Sequence, residues 1–206
     1  VANLDKGLAS GFALIGLIFS FGRVSGAHFN PCVTLAFLLR GAFNFYRFLT
    51  YIVFQFAGAV SAAAVLYDLF GTIDQLGTTT PGDGLENKQV FGVEILLTFF
   101  LITVILTTAE NSNIVGATAG LAVGVTFGAN EIWGWNFSGA SVNPWRTIAP
   151  TMIANYAWST YWIYITGPLV GTIFAVLVQR LMVTGVHRED THGVSKGSGK
   201  TDNGDD

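Results

Sequence analysis

Residues 138–147 read SGASVNPWRT, and residues 25–34 read SGAHFNPCVT. Six of the ten positions agree in one register: Ser, Gly, Ala, Asn, Pro and Thr. Asn followed by Pro is a helix start. The Asn side chain accepts a backbone N–H of the first turn, and Pro at the first helical position gives up no hydrogen bond. Two short helices are therefore expected to begin at Asn30 and Asn143. Each polar decamer is followed by an apolar tail, ending near Leu39 and Ile153. A tail of about 10 residues is half the length that crosses a bilayer.

The rest of the chain defines the solvent these decamers sit in. Of 206 residues, 51% are hydrophobic and 11% charged, against about 25% charged in a soluble domain. Mean hydropathy is +0.52, and the 25 glycines suit closely packed membrane helices. Five charge-poor stretches approach the length of a span: 8–21 with small residues at each end, 48–67, 91–109, 115–133 and 161–182. The class is an all-α transmembrane protein. A single cysteine excludes an intrachain disulfide and a Cys-cluster metal site. No nucleophile–base or metal-ligand constellation stands out, so neither an enzyme nor a bound cofactor or metal is expected, and nothing points to nucleic acid.

The interval from Asn143 to the end of the following span near Met182 matches that from Asn30 to Asp68 within one residue. Two spans precede Asn143, starting near Phe91, while one precedes Asn30. The halves read as repeats, 1–68 and 91–182, of which the first lacks its opening helix. With three spans per half, the halves run in opposite directions and bring two broken helices to the midplane. Residues 1–182 form the channel-like domain in this reading, and the polar residues 183–206 a disordered tail. Arg23, Arg40 and Arg47 fall on one side with Arg180, Arg188, Lys196 and Lys200; Lys6, Lys88, Asp74, Asp83 and Glu86 fall on the other. The positive-inside rule puts the first decamer and the C-terminus in the cytoplasm.

Irregular backbone at membrane depth persists only when buried in protein or lining a water-filled cavity. Opposed half-helices would point two positive dipole ends at one place. The carbonyls of Gly26, Ala27, His28, Gly139, Ala140 and Ser141 would remain as acceptors, and the amides of Asn30 and Asn143 as donors to a solute oxygen. That set suits an uncharged, hydrogen-bonding solute and repels cations. Trp145 at the midplane would obstruct, so its indole is expected to pack away from the path. Trp133, Trp135, Trp158 and Trp162 read as an interfacial belt.

These boxes, Arg146 two residues after Pro144, VEILLTFFLI at 93–102, AGLAVGV at 119–125 and GPLVG at 167–171 resemble the aquaporin (major intrinsic protein) family up to about Arg180. The family has six spans and Asn-Pro-Ala in both boxes. Here five spans are expected, and the boxes read Asn30-Pro31-Cys32 and Asn143-Pro144-Trp145. The resemblance implies a homotetramer in the lipid bilayer of the cell membrane, one pore per protomer. It implies a scaffold role for Glu94, holding loop N–H groups near the second box. It also implies an outer constriction of Ser10, Glu131, Ala140 and Arg146, by ungapped spacing from the two Asn residues. Water-selective members usually carry an aromatic and a His where Ser10 and Glu131 stand; glycerol-conducting members usually carry Asp where Thr147 stands. Glu131 reads either as a filter partner of Arg146 or as a solvated residue at a helix end. Cys32 reads as an Ala substitute or as a pore-accessible thiol, and His28 as a lining residue of the inner pore or a plain hydrogen-bonding group. The functional expectation is a passive water channel that also passes other small neutral solutes. The alternatives are a glycerol, urea or peroxide facilitator and a non-conducting membrane scaffold.

Overall fold

The computed structural model describes residues 3–110, 114–115 and 117–194. Among them are seven α-helices: α1 (Leu4–Ser25), α2 (Pro31–Leu39), α3 (Phe45–Phe70), α4 (Asn87–Thr108), α5 (Ala117–Ser138), α6 (Pro144–Ala154) and α7 (Ile163–Val194). Five are long and two, α2 and α6, are short, and the short ones start at the Pro of each box. Gly26 ends α1 in a left-handed cap, φ 75°, that a side chain would strain. Asn44 opens α3 by accepting from the Arg47 N–H at 2.8 Å.

Four helices are long and apolar enough to cross a membrane: α1, α3, α4 and the 163–182 part of α7. The expected fourth span is present as α5. It matches α4 in length, but Asn130 and Glu131 interrupt its apolar run. Two further departures are small. Ala109–Glu110 pairs antiparallel with Ile114–Val115 between α4 and α5. Helix α7 continues to Val194, past residue 183 where disorder was expected to begin. One Gly lowers helix propensity by about 1 kcal/mol without stopping a helix already formed. The remainder of the expected tail lies outside the described residues.

Packing follows the repeat. Helix α4 lies on α7 and α5, α1 lies on α5, α3 lies on α6, and α2 touches α3, α7 and α4. The α1–α5 contact is backbone against backbone. A Cβ at Gly11 would stand 2.8 Å from the Gly124 carbonyl oxygen, one at Gly124 2.7 Å from the Gly11 carbonyl, and one at Gly128 2.6 Å from the Gly7 carbonyl. Without a hydrophobic force between helices in lipid, such close approach supplies the van der Waals contact that holds them. Gly171 of α7 closes on α4 in the same manner. Gly58 stands at the equivalent place after Asn30, and a Cβ there would meet nothing within 4 Å. Accordingly 6% of the apolar stretch of α3 is buried, against 44% in α4.

Gly124→Leu is expected to lower the thermal unfolding midpoint of detergent-purified protein and to cost about 2 kcal/mol or more through overpacking. Gly16→Ala, at a site with nothing within 4 Å, should leave the midpoint nearly unchanged.

Candidate functional site

The two boxes meet through a reciprocal pair of side-chain bonds. Asn30 caps α2, its Oδ1 accepting from the Cys32 N–H at 2.9 Å. Its Nδ2 donates across to the Val142 carbonyl at 2.7 Å. Asn143 caps α6 by accepting from the Trp145 N–H at 3.1 Å, and its Nδ2 donates to the Phe29 carbonyl at 3.0 Å. An amide carries two N–H donors, so each Asn keeps one beyond the bond across the junction. The other ties each half-helix to the loop in front of its counterpart.

Beside this junction lies a cavity of ≈ 260 Å³ bordered by Asn30, Asn143, Arg146, Gly26, Ala27 and Phe29. The rest of its lining is apolar: Leu14 and Ile18 of α1, Leu101 and Ile105 of α4, Val123 and Phe127 of α5, and Val33. The cavity lining thus combines a few hydrogen-bonding groups with mostly hydrocarbon.

The second box is fixed from behind by Glu94, which is fully buried. Glu94 Oε1 accepts from the Ser138 hydroxyl at 2.7 Å and the Ser141 N–H at 2.9 Å. Its Oε2 accepts from the Val142 N–H at 2.9 Å. These bonds hold a backbone that would not hold itself. Ala140 (φ 48°) and Val142 (φ 49°) are both left-handed, a conformation disfavoured for L-residues and most of all for a β-branched one. Val142 is gripped at both ends, its N–H by Glu94 and its carbonyl by Asn30.

Also bordering the cavity, Arg146 reaches Glu131, its Nη2 lying 3.5 Å from Glu131 Oε1. The Glu131 side chain is 4% exposed and that of Arg146 23%, so Glu131 is not a solvated helix-end residue. The guanidinium lies 5.7 Å from the centroid of Trp135, and the Lys6 ammonium lies 3.9 Å from the same ring. Trp135 therefore faces two cations. Its position one helical turn after Glu131 was the signal for it. Arg146 Nη1 is buried with no hydrogen-bond partner.

The other sequence candidates divide. Ser10 is half-buried on α1, its hydroxyl donating to the Gly7 carbonyl at 3.3 Å. Ala140 is buried, and its methyl faces Gly134 of α5, where a Cβ would come within 3.2 Å of it. Neither borders the cavity; for Ala140 the left-handed backbone turns the methyl into the helix contact. Cys32 is fully buried and interacts with Thr172 of α7, so the thiol packs as a small core residue and does not face the cavity. His28 is also turned aside. Its carbonyl accepts from Gln55 Nε2, and its ring stacks on Phe37 and Phe43 at centroid distances of 4.6 and 5.1 Å. The ring nitrogens have no hydrogen-bond partner, and His28 borders a separate groove with Gln55 and Tyr51. Gln55, a polar residue in the apolar run of α3, also donates to Thr34 Oγ1 at 2.9 Å and thus braces the first box. Gly139 borders a recess with Thr79, and Ser141 is buried within the hydroxyl and carboxylate contacts of the second box. Trp145 packs on Phe56 of α3, ring centroids 5.0 Å apart, and does not border the cavity.

Glu94→Gln would replace one oxygen acceptor by a donor facing backbone N–H groups. It is expected to destabilise the protein by about 3 kcal/mol or more, read as a lower unfolding midpoint in detergent. An unchanged midpoint would show that the loop does not lean on this carboxylate.

Comparison with known proteins places this geometry in a family. The family model described as major intrinsic protein matches residues 1–179. The chain is 39% identical over 165 residues to Aquaporin NIP1-3 of Oryza sativa subsp. japonica, covering 79% of this chain and 56% of that protein. It is 38% identical over 182 residues to Aquaporin NIP1-2 of Arabidopsis thaliana, covering 84% and 60%. The chain thus spans a little over half the length of these curated relatives. Among solved structures, the aquaglyceroporin from Plasmodium falciparum shares the fold with a TM-score of 0.70 at 22% identity, over 84% of this chain and 78% of that one. With the family pattern matched over most of its length and the fold shared, the chain belongs to the major intrinsic protein family, whose members are integral membrane proteins.

Proposed function

We propose that this chain forms most of a passive transmembrane channel for water and other small neutral solutes. The observation that carries the reading is the junction of two half-helix N-termini, each with one Asn N–H left over, on the wall of the same cavity as Arg146. A solute oxygen accepts from these donors in turn while the apolar wall offers no competing partner. The N-terminal dipole ends of α2 and α6 make the centre positive, which opposes cations. A lone Arg146 would then favour anions. Glu131 at 3.5 Å offsets that charge and adds acceptor oxygens beside the guanidinium donors. The constriction disfavours both signs of ion and suits a neutral molecule that donates and accepts.

A second reading, passage of urea, glycerol or peroxide, is supported by the sequence position of Ser10, where water-selective members of the family usually place an aromatic; its side chain bonds the Gly7 carbonyl and does not border the cavity. The assembly we infer is a homotetramer in the cell membrane. Arg40 Nη1 donates to the Leu106 carbonyl and Arg180 to the Leu39 carbonyl, gathering cationic residues at one end of the bundle. That distribution supports a cytoplasmic C-terminus.

The complete gene product in liposomes, challenged with osmotic jumps, should accelerate shrinkage over empty vesicles and show its ranking of water, urea and glycerol in the re-swelling. No acceleration for any of them would reject a channel and leave a membrane scaffold. Glu131→Gln is expected to change the urea-to-water permeability ratio by about two- to tenfold; an unchanged ratio would remove Glu131 from the filter.

A further inference from the structure

We propose that Thr79, in the loop between α3 and α4, is a positioning residue for Arg146, acting through a one-way chain of three buried hydroxyls. The proposal rests on the channel reading above. Thr79, Thr147 and Ser141 are each 1% exposed or less. Thr79 Oγ1 is hydrogen-bonded to Thr147 Oγ1, and Thr147 Oγ1 lies 2.7 Å from Ser141 Oγ. Ser141 Oγ donates to the Asn143 carbonyl at 2.9 Å.

The direction of the chain follows from proton counting. A hydroxyl has one proton to donate. Ser141 gives its proton to a carbonyl, which can only accept, so Thr147 must donate to Ser141. Thr147 has then used its proton, and Thr79 must donate to Thr147. The carbonyl at the end of the chain also accepts the Arg146 N–H at 3.1 Å. It therefore sets where the first turn of α6 begins and where Arg146 leaves it.

The loop is seated closely enough to act in this way. A Cβ at Gly139 would stand 3.2 Å from the Thr79 side chain. Gly82 N–H donates to the Phe137 carbonyl at 3.0 Å, and Gly82 lies so close to the Asn136 carbonyl that no side chain would fit. The backbone being held contains the left-handed residues Gly139, Ala140 and Val142. Glu94 supports it from the α4 side and Thr79 from the outer loop. Removing the Thr79 hydroxyl deletes the hydrogen bond that anchors and polarises Thr147 Oγ1, which weakens the bonds after it in the chain, loosens the Asn143 carbonyl and with it Arg146.

The test uses the complete gene product. Thr79→Val keeps the shape and removes the hydroxyl; Thr79→Ser restores it; Thr80→Val alters a neighbour outside the chain. Osmotic jumps give the urea-to-water permeability ratio, and hydrogen exchange by mass spectrometry follows the amides of residues 139–147. Thr79→Val is expected to shift the ratio by about two- to tenfold and to speed exchange in that segment, with Thr79→Ser and Thr80→Val close to wild type. A role in stability alone would lower all permeabilities in proportion and leave the ratio where it was, which overturns the proposal. Should Thr79→Val fail to fold, Thr147→Val breaks the same chain one link later and must shift the ratio. If wild-type protein conducts nothing, the channel reading falls and exchange decides: unchanged amides at 139–147 in Thr79→Val overturn the positioning role, and faster ones support it.

Discussion

Two amide side chains cross between the halves of this molecule, Asn30 to the Val142 carbonyl and Asn143 to the Phe29 carbonyl. Every other feature of the centre answers to that crossing. Each half-helix is too short to span a bilayer and ends where there is no bulk water to satisfy its first N–H groups. A cap oxygen on each Asn meets one of those groups, and an amide N–H on the same side chain satisfies a carbonyl in the opposite loop. One residue type at two equivalent places therefore solves the cap and the junction together. A Ser or Asp would cap as well, but neither has the second function: Ser has one proton and ionised Asp none.

The crossing succeeds only if the loops present their carbonyls correctly, and that orientation is imposed from outside. In the second half, the Glu94 carboxylate draws three donors toward itself and keeps Val142 in a left-handed conformation it would otherwise leave. In the first half, Gln55 of α3 reaches the His28 carbonyl and Thr34. The two buttresses are chemically different, a carboxylate that only accepts and an amide used as a donor. The inverted repeat is thus symmetric at the Asn residues and asymmetric in what surrounds them.

What could be read from the sequence was whatever is local or repeated. Cap chemistry is settled within three residues, so the starts of α2 and α6 were visible in Asn-Pro. The repeat was visible because two decamers share a register. Side-chain direction was less accessible. Ala140 and Cys32 stand at box positions, yet a left-handed backbone turns one methyl toward α5, and the helical phase of α2 turns the thiol toward α7. Spacing alone carries neither fact. Thr79 had no signal at all: it lies in a loop without periodicity, and its partner Thr147 is distant in the chain. Trp135 had a signal, four residues after Glu131 on one helix, that its aromatic character obscured by suggesting an interfacial anchor.

The glycines between α1 and α5 carry a consequence for the width of the cavity. Leu14 and Ile18, and Val123 and Phe127, form facing parts of the cavity wall and belong to the two helices that Gly7, Gly11, Gly124 and Gly128 press together. Because backbones touch along that seam, the helices cannot come closer, and only a larger residue in the seam can move them apart. The width of the cavity is therefore gauged by residues that do not border it. A methyl group added at the seam would act as a shim and widen the cavity, whereas trimming a lining residue would change its texture more than its diameter. Evolution has access to two separate adjustments here, one for caliber and one for chemistry, located on different faces of the same helices.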